Sequence, residues 1–436
     1  MAAERAQQEI FVLLAGGPYC SNNELAGVLE IASSHIRACE GYSNMLVAFN
    51  KSHTATETEV FLQKLNDSSA NSDLIVPTAL HNWMLGGRAM VIQAITTWAK
   101  RNPEGRLVTY INTEAECPKQ LQNLVAEDHG LVAVLQASDV VMRDGVTSIK
   151  DKALKLARDR LVAMQSGVEG AWRGNRVFLV CADQERTAFL PAFYHQTQDP
   201  HKDLRREAEF RSLASKILFQ TGAQKGDRNL LFEGVESNIG SILFELFTNT
   251  HHWGRRRWDS ALIERSVRGI LFQYIYGTSE SLGRQGGISG PLHDYLDHWE
   301  ITGAGRQRFV EMSVFDSGVG LAQQFLRGAL EPDDSLAKEH DAVLSCLRLH
   351  STTSTLTHRG IGLDLVLHTL TKAKGFIHIR TGRLSLQRDF IRCPHESDPK
   401  PVLYDWSSGE ERPVPNAPIE GTLVTVILPL FHRFRE

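Results

Sequence analysis

The chain has 436 residues, of which 42% are hydrophobic and 22% are charged. This balance is typical of a folded globular protein and excludes an intrinsically disordered chain. The formal net charge of -4 gives no overall field that would attract nucleic acid or an anionic membrane, so we expect neither as a partner. A chain of this length predicts two or three domains.

The six cysteines are scattered along the chain, and no two are spaced as in a zinc cluster. We therefore expect reduced thiols rather than a disulfide framework. The first residues are charged and lack the apolar core of a secretory signal. No apolar run approaches the roughly 18 residues that span a bilayer. These features predict a cytoplasmic protein that does not cross a membrane.

The first half of the chain alternates short β-branched runs with longer helical patterns. The predicted strands are residues 74–80, 106–113, 131–138 and 176–183, and the predicted helices are residues 81–101 and 148–166. This alternation predicts an α/β domain with a partly parallel sheet. Its sequence contains no phosphate loop, metal cluster or nucleophile elbow, so its role stays open. A polar, charged segment near residue 200 divides the chain into domains of residues 1–200 and 201–436.

The first chemical signal of the second half is the helical run LFELFTNTHH, residues 243–252. Glu245 and Asn249 are four residues apart and therefore share one face of the helix. The adjacent histidines that follow would point about 100° apart, which makes a poor metal chelate. The arginines at 255–257 follow the expected helix end, where a solvated cationic terminus is favoured over a polyanion contact.

A β-rich run ends abruptly in the turn Asp316-Ser317-Gly318-Val319-Gly320. Alternating glycines at a strand end let the backbone come close to a ligand, although an ordinary tight turn has the same pattern. Farther on, Gly360-Ile361-Gly362-Leu363 opens a helix, and free N–H groups at a helix start suit a phosphate. A last strand begins at Gly421-Thr422. Each of these motifs is weak by itself.

Taken in this order and spacing, the four motifs resemble the ATP-binding domain of the GHKL superfamily, which includes DNA gyrase, histidine kinases and MutL. The resemblance covers roughly residues 210–432, about half of the chain. It implies the Bergerat ATP-binding fold, a two-layer α/β sandwich that holds the nucleotide between a helical layer and a mixed sheet. The expected fold class is thus α/β, with this sandwich preceded by a separate α/β domain.

The resemblance also implies a phosphate end of the site, with Mg²⁺ and ATP as the cofactors. Asn249 matches the asparagine that binds Mg²⁺ through its amide oxygen. Glu245 matches the catalytic position that activates water for attack on the γ-phosphate in the hydrolysing branches. The glycine-rich loop and helix start that meet the phosphates match Gly360, Gly362 and Leu363.

At the adenine end, the resemblance assigns Asp316 as the carboxylate that accepts a hydrogen bond from the adenine amino group. Gly318 and Gly320 match the glycines beside the base, and Thr422 matches a hydroxyl that holds the adenine end, often through water. Residues 321–359 match the ATP lid, a segment that orders over the phosphates.

Several features depart from the superfamily pattern or stay open. At the end of the lid, His358 and Arg359 either reach the phosphates or are solvated side chains. Two expected insertions, residues 276–292 and 393–421, are either partner surfaces or tolerated loop growth. No transducer domain with a phosphate-binding lysine is recognised after the last strand, so strand passage is not expected.

The resemblance implies a slowly hydrolysing ATP switch whose nucleotide state controls how the N-terminal domain meets a protein partner or a second copy of the chain. One alternative is a histidine-kinase-like phosphotransferase. Its best phosphoacceptor candidate, His201, lies too close to Asn249 for the usual two-helix hairpin. A second alternative is a non-catalytic, nucleotide-dependent interaction module in which Glu245 is structural.

Overall fold

A computed structural model describes residues 44–49, 54–68, 71–80, 86–185, 188–196, 203–223, 234–278, 282, 290–299, 307–331, 333–348, 362–396 and 401–430. All structural statements below concern these residues. None of the described helices is both long enough and apolar enough to cross a bilayer.

A parallel sheet of four strands forms the first part of the fold. Its strands follow one another in chain order: Met45–Ala48 (β1), Ser72–Ile75 (β2), Arg106–Val108 (β3) and Asp139–Val141 (β4). The helices of this part are Ala55–Asp67 (α1), Gly87–Arg101 (α2), Cys117–Ala126 (α3), Asp128–Gln136 (α4), Lys150–Ala163 (α5) and Val168–Ala171 (α6). Parallel strands need crossover connections, which the intervening helices supply. The expected α/β class with a parallel sheet is confirmed.

One predicted strand of this region is wrong. Residues 131–138 lie mainly in helix α4, whose nine residues are all buried, and the strand β4 begins only at Asp139. A short apolar run that is buried on all sides has no periodicity to separate a strand from a helix. The burial was therefore predictable from the sequence, but the element type was not.

An antiparallel sheet of eight strands forms the second part of the fold. Its order is β11-β10-β9-β12-β8-β7-β6-β5. The strands are Trp172–Arg173 (β5), Arg176–Ala182 (β6), Val267–Gly277 (β7), Gln307–Asp316 (β8), Phe376–Gly382 (β9), Leu384–Asp389 (β10), Tyr404–Asp405 (β11) and Ile419–Pro429 (β12). The resemblance implied a mixed sheet, whereas every described pairing here is antiparallel.

The strand β6 corrects the expected organisation of the chain. It is a strand, as predicted, but it pairs with β7 and not with the parallel sheet. The second sheet therefore begins well before residue 200, where the sequence placed the domain boundary. Hydrophobic patterning identifies a buried strand without naming its neighbour, so the sheet to which β6 belongs was not readable.

Helices cover both faces of the antiparallel sheet. The helices of the second part are Glu207–Gln220 (α7), Val235–Trp253 (α8), Gly290–Asp297 (α9), Leu321–Leu326 (α10), Leu336–Cys346 (α11) and Gly362–Ala373 (α12). Helix α8 packs between α7 and α12 and against β8, whereas α2 from the first part packs against β12 and β8. One continuous hydrophobic core includes Trp98 of α2 and Leu423 of β12. The expected sandwich has two layers, one of helices and one of strands. Helix α2 of the first domain adds a third layer against the sheet.

The two expected insertions differ in how much of them the structure describes. Most of residues 276–292 lie outside the described residues, and α9 begins at the end of this segment. The second insertion is packed where it is described: it supplies β11, and the buried Asp405 accepts hydrogen bonds from the backbone N–H groups of Ser407, Ser408 and Val414. This part is an ordered edge of the sheet rather than a loose loop.

Candidate functional site

Helix α8 places one apolar face in the core and leaves two polar groups beside it. Leu243, Leu246 and Phe247 are buried, and the Phe247 ring stacks on Phe193 at 3.9 Å. Glu245 and Asn249 are half-buried, and neither side chain has a hydrogen-bond partner among the described residues. Polar side chains that are partly withdrawn from water without protein partners are available to bind a ligand.

The start of α12 lies directly against Glu245. A Cβ atom added to Gly362 would be 2.3 Å from Oε2 of Glu245, so a side chain here would displace this carboxylate. Burial raises the pKa of Glu245 to about 6, and the nearby carboxylate of Glu207 adds to this effect. The carboxyl group therefore lies beside a helix start and ionises close to neutral pH.

Asp316 ends strand β8 and is held in one orientation by the backbone. Its Oδ1 accepts hydrogen bonds from the N–H groups of Gly318 at 2.8 Å and Thr422 at 3.3 Å. Its Oδ2 has no hydrogen-bond partner within the described part of the chain. Burial raises the pKa of Asp316 to about 6, although both backbone hydrogen bonds oppose this shift. The result is a fixed acceptor with one oxygen available.

Two glycines let the backbone close around Asp316. Gly254, which follows α8, lies so close that an added Cβ would be 2.5 Å from Cβ of Asp316. Gly421 has a φ of 76°, and an added Cβ would be 1.9 Å from the carbonyl oxygen of Asp316. Positive φ and this close approach both exclude a side chain. The end of α8 and the start of β12 therefore meet at this carboxylate.

Thr381 belongs to the same group, although no sequence motif indicated it. Its hydroxyl lies 3.3 Å from the Thr422 hydroxyl and accepts a hydrogen bond from the N–H of Leu321 at 3.1 Å. In the sheet, Thr422 is opposite Asp316 on one side and opposite Thr381 on the other. Thr381 reaches the site only because β9 pairs with β12 in this register. The sequence of one strand does not show its register with a neighbouring strand.

The structure brings most of the sequence-predicted residues into two groups, one beside the middle of α8 and one at its C-terminal end. The adenine-end group contains Asp316, Gly318, Gly320 and Thr422, and the phosphate-end group contains Glu245 and Gly362, with Leu363 packed on the core beside them. Asn249 lies between these groups along the helix. The backbone rises about 13 Å along the helix axis from Glu245 to Gly254.

Several predicted features lie outside the described residues. They include the end of the lid and the possible phosphoacceptor, namely Gly360, His358, Arg359 and His201. The described part of residues 321–359 contains the helices α10 and α11.

A buried ionic network supports the end of α8. The guanidinium of Arg268 is fully buried and donates to Asp183 at 2.5 Å and to the Tyr194 hydroxyl at 3.0 Å. The same hydroxyl lies 3.1 Å from Nδ1 of His251, and burial lowers the pKa of His251 to about 3. Arg255 also binds Asp183, at 2.8 Å. The expectation that Arg255 is a solvated terminus is wrong, because it and His251 help to fix the helix end.

Comparisons with known proteins add no further constraint. No family model matches the chain, and neither the curated proteins nor the solved structures provide a match. The geometry of this chain therefore carries the functional argument.

Proposed function

We propose that the protein is a GHKL-type switch that binds ATP with Mg²⁺ and hydrolyses the ATP slowly. The observation that carries this proposal is the environment of Asp316. Backbone N–H groups hold one of its oxygens, while the other oxygen has no partner among the described residues. A buried carboxylate of this kind is incomplete without a donor from a ligand.

The exocyclic amino group of adenine is a suitable donor for Oδ2 of Asp316. Guanine has a carbonyl oxygen at the corresponding position, which would face the carboxylate with a second acceptor. The site should therefore favour adenine over guanine by the cost of an unpaired, charged hydrogen-bonding group. The small residues Gly318 and Gly254 leave the backbone close to the carboxylate, where a flat base can approach.

The phosphates would lie beside the middle of α8, near the start of α12. The helix start supplies unpaired N–H groups and the positive end of its dipole, which together favour an anion. The amide oxygen of Asn249 can serve as the protein ligand of Mg²⁺, which otherwise keeps waters and binds phosphate oxygens. Glu245 then lies beside the terminal phosphate with a pKa of about 6, suitable for accepting a proton from water.

In this proposal, ATP orders the lid and biases the contact between the two sheets or with a partner. The output is a protein partner or a second copy of the chain, because nothing in the net charge favours nucleic acid. We place the protein in the cytoplasm, where ATP is available. The four cysteines within the described residues are free thiols, in keeping with that compartment.

The direct test is to measure ATP affinity after the substitution Asp316→Asn. The amide keeps an acceptor for the two backbone N–H groups but presents its own N–H₂ toward the adenine amino group. Loss of a hydrogen bond to a charged group should weaken ATP binding by at least about tenfold. Isothermal calorimetry with Mg²⁺-ATP measures this change, and the exposed Asp151→Asn provides a matched control. Equal ATP affinity in wild type and Asp316→Asn would contradict the proposal.

A further inference from the structure

A carboxylate and two imidazoles meet beside the first two turns of α12. They are Asp364, His368 and His395, and their candidate ligand atoms all lie within 4.8 Å of one another. We propose that these three residues form a site for a divalent transition metal, with Zn²⁺ as the best-fitting ion. This site does not depend on the proposed ATP binding.

The spacing of the three side chains suits direct coordination. Asp364 and His368 are one helical turn apart, and Oδ2 of Asp364 lies 3.6 Å from Nε2 of His368. Oδ1 of the same carboxylate lies 2.8 Å from Nε2 of His395. In a tetrahedral zinc site with metal–ligand distances near 2.0–2.1 Å, neighbouring ligand atoms are about 3.3 Å apart. Small side-chain rotations would therefore place all three atoms around one ion.

The segment that carries His395 is held rigidly in place. The guanidinium of Arg388 donates to the carbonyl oxygens of Cys393, Pro394 and Val402, which fixes the chain on both sides of the histidine. The backbone N–H of His395 donates to the Thr371 hydroxyl of α12 at 2.9 Å. A ligand held by its own packing and hydrogen bonds needs little reorganisation when a metal binds.

Two of the three side chains are buried, and the third faces solvent. The side chains of Asp364 and His395 are 5% and 1% exposed, whereas that of His368 is 38% exposed. The exposed side of the cluster leaves a fourth coordination position open to water.

The ligand types select among metals. Two imidazole nitrogens and one carboxylate suit Zn²⁺, Co²⁺, Ni²⁺ or Fe²⁺, whereas Mg²⁺ and Ca²⁺ prefer oxygen ligands only. A metal here would tie the packed segment around His395 to the helix that begins at Gly362. It would thus stabilise the helix start that faces Glu245 without taking part in the binding of Mg²⁺-ATP.

The test is a Zn²⁺ titration of tag-free, metal-stripped full-length protein, in competition with a chromophoric chelator and without nucleotide. We expect one equivalent of Zn²⁺ to bind, and Co²⁺ to give the visible spectrum of a low-coordinate site. His368→Ala and Asp364→Asn should each weaken Zn²⁺ binding by at least about tenfold, the lower end of what even outer-shell changes cost. The matched control is His293→Ala, because His293 forms a similar one-turn pair with Asp297 at 3.2 Å.

Thermal unfolding provides the second measurement. Zn²⁺ binds only the folded site, so it should raise the Tm of the wild-type protein and leave that of His368→Ala unchanged. His368 is the most exposed of the three side chains, so this variant should fold. Absence of stoichiometric Zn²⁺ binding, or the same affinity in wild type and His368→Ala, would overturn the site. Because nucleotide is absent, either result leaves the proposed ATP site untouched.

Discussion

Two carboxyl groups, Glu245 in the middle of α8 and Asp316 beside its C-terminal end, share a raised pKa of about 6 but have different surroundings. Asp316 is fixed by two backbone N–H groups, whereas Glu245 has no hydrogen-bond partner among the described residues. A fixed carboxylate suits recognition of one donor. A carboxylate that ionises near neutrality and is free to reorient suits proton transfer.

At the scale of this residue, Glu245→Gln should separate binding from hydrolysis. The amide has the same shape but cannot accept a proton from water. ATP affinity should be nearly unchanged, while phosphate release should fall by about 10²–10⁴-fold, the usual contribution of a general base. A coupled phosphate-release assay at saturating ATP measures the rate. Glu236→Gln, in the first turn of the same helix, is the control.

The pH dependence gives a second view of the same group. In the proposed function the ionised form of Glu245 is the base, so phosphate release at saturating ATP should rise as the pH increases through about 6 and then level off. ATP affinity should rise over the same range as Asp316 ionises. If Glu245→Gln releases phosphate as fast as wild type, Glu245 is not the base and the proposed hydrolysis at this site is contradicted.

At the scale of elements, the sequence was sufficient wherever a pattern was long or strongly periodic. Helix α8 and the strands β8 and β12 lie where the sequence predicted them. The prediction failed for residues 131–138, because a helix that is buried on all sides shows no hydrophobic periodicity. It also failed for the sheet to which β6 belongs, because strand pairing is a long-range choice that leaves no local signal.

The candidate site shows the same division between local and long-range information. Its glycines and carboxylates occur in short motifs that a sequence displays, and the structure gathers Asp316 and Thr422 at one point. Thr381 was not predictable, since it reaches the site only through the register of β9 with β12. The candidate metal site joins an i,i+4 pair on α12 to a histidine in a distant loop, so two of its three residues had a local signal.

The contact between two helices can be tested with Gly362→Ala. An added Cβ would lie 2.3 Å from Oε2 of Glu245, and this flexible carboxylate is the atom that can move. Phosphate release should fall because the base is displaced. The Tm should be unchanged or slightly higher, since alanine favours a helix by about 1 kcal/mol over glycine. The measurements are a phosphate-release assay and thermal unfolding.

The chain offers a matched control for this change. Gly290 is also the first residue of a helix, and an added Cβ there would meet nothing within 4 Å. Gly290→Ala should therefore leave phosphate release unchanged. Equal rates in Gly362→Ala and Gly290→Ala would show that the approach of α12 to Glu245 has no role in hydrolysis.

At the scale of the whole molecule, helix α2 connects the parallel sheet to the candidate site. The contact is partly polar: Gln93 donates to the carbonyl oxygens of Arg380 and Glu420, and Gly86 lies against Thr425. The contact also includes part of the continuous hydrophobic core, with Trp98 of α2 and Leu423 of β12, and a hydrophobic interface resists relative motion. ATP can shift such a contact only if the two arrangements differ in their affinity for it.

Lys100 of α2 contacts the backbone beside Asp316. Its Nζ lies 3.2 Å from the carbonyl oxygen of Gly318 and 3.1 Å from a carboxylate oxygen of Glu420. The positive charge of Lys100 also lowers the pKa of Asp316 against the larger effect of burial. Lys100 therefore favours the ionised form of this carboxylate, which is the form proposed to accept the adenine amino group.

Substitution of Lys100 by Met should accordingly weaken ATP binding severalfold at neutral pH and move the midpoint of its pH dependence upward. The reason is that Asp316 loses a nearby positive charge and ionises at a higher pH. Calorimetric titrations with Mg²⁺-ATP on both sides of pH 6 measure the midpoint. Arg101→Met is the matched control, because Arg101 is adjacent in the chain but donates to the carbonyl oxygen of Pro418. Identical pH profiles for Lys100→Met and Arg101→Met would mean that the first domain does not influence the site through this lysine.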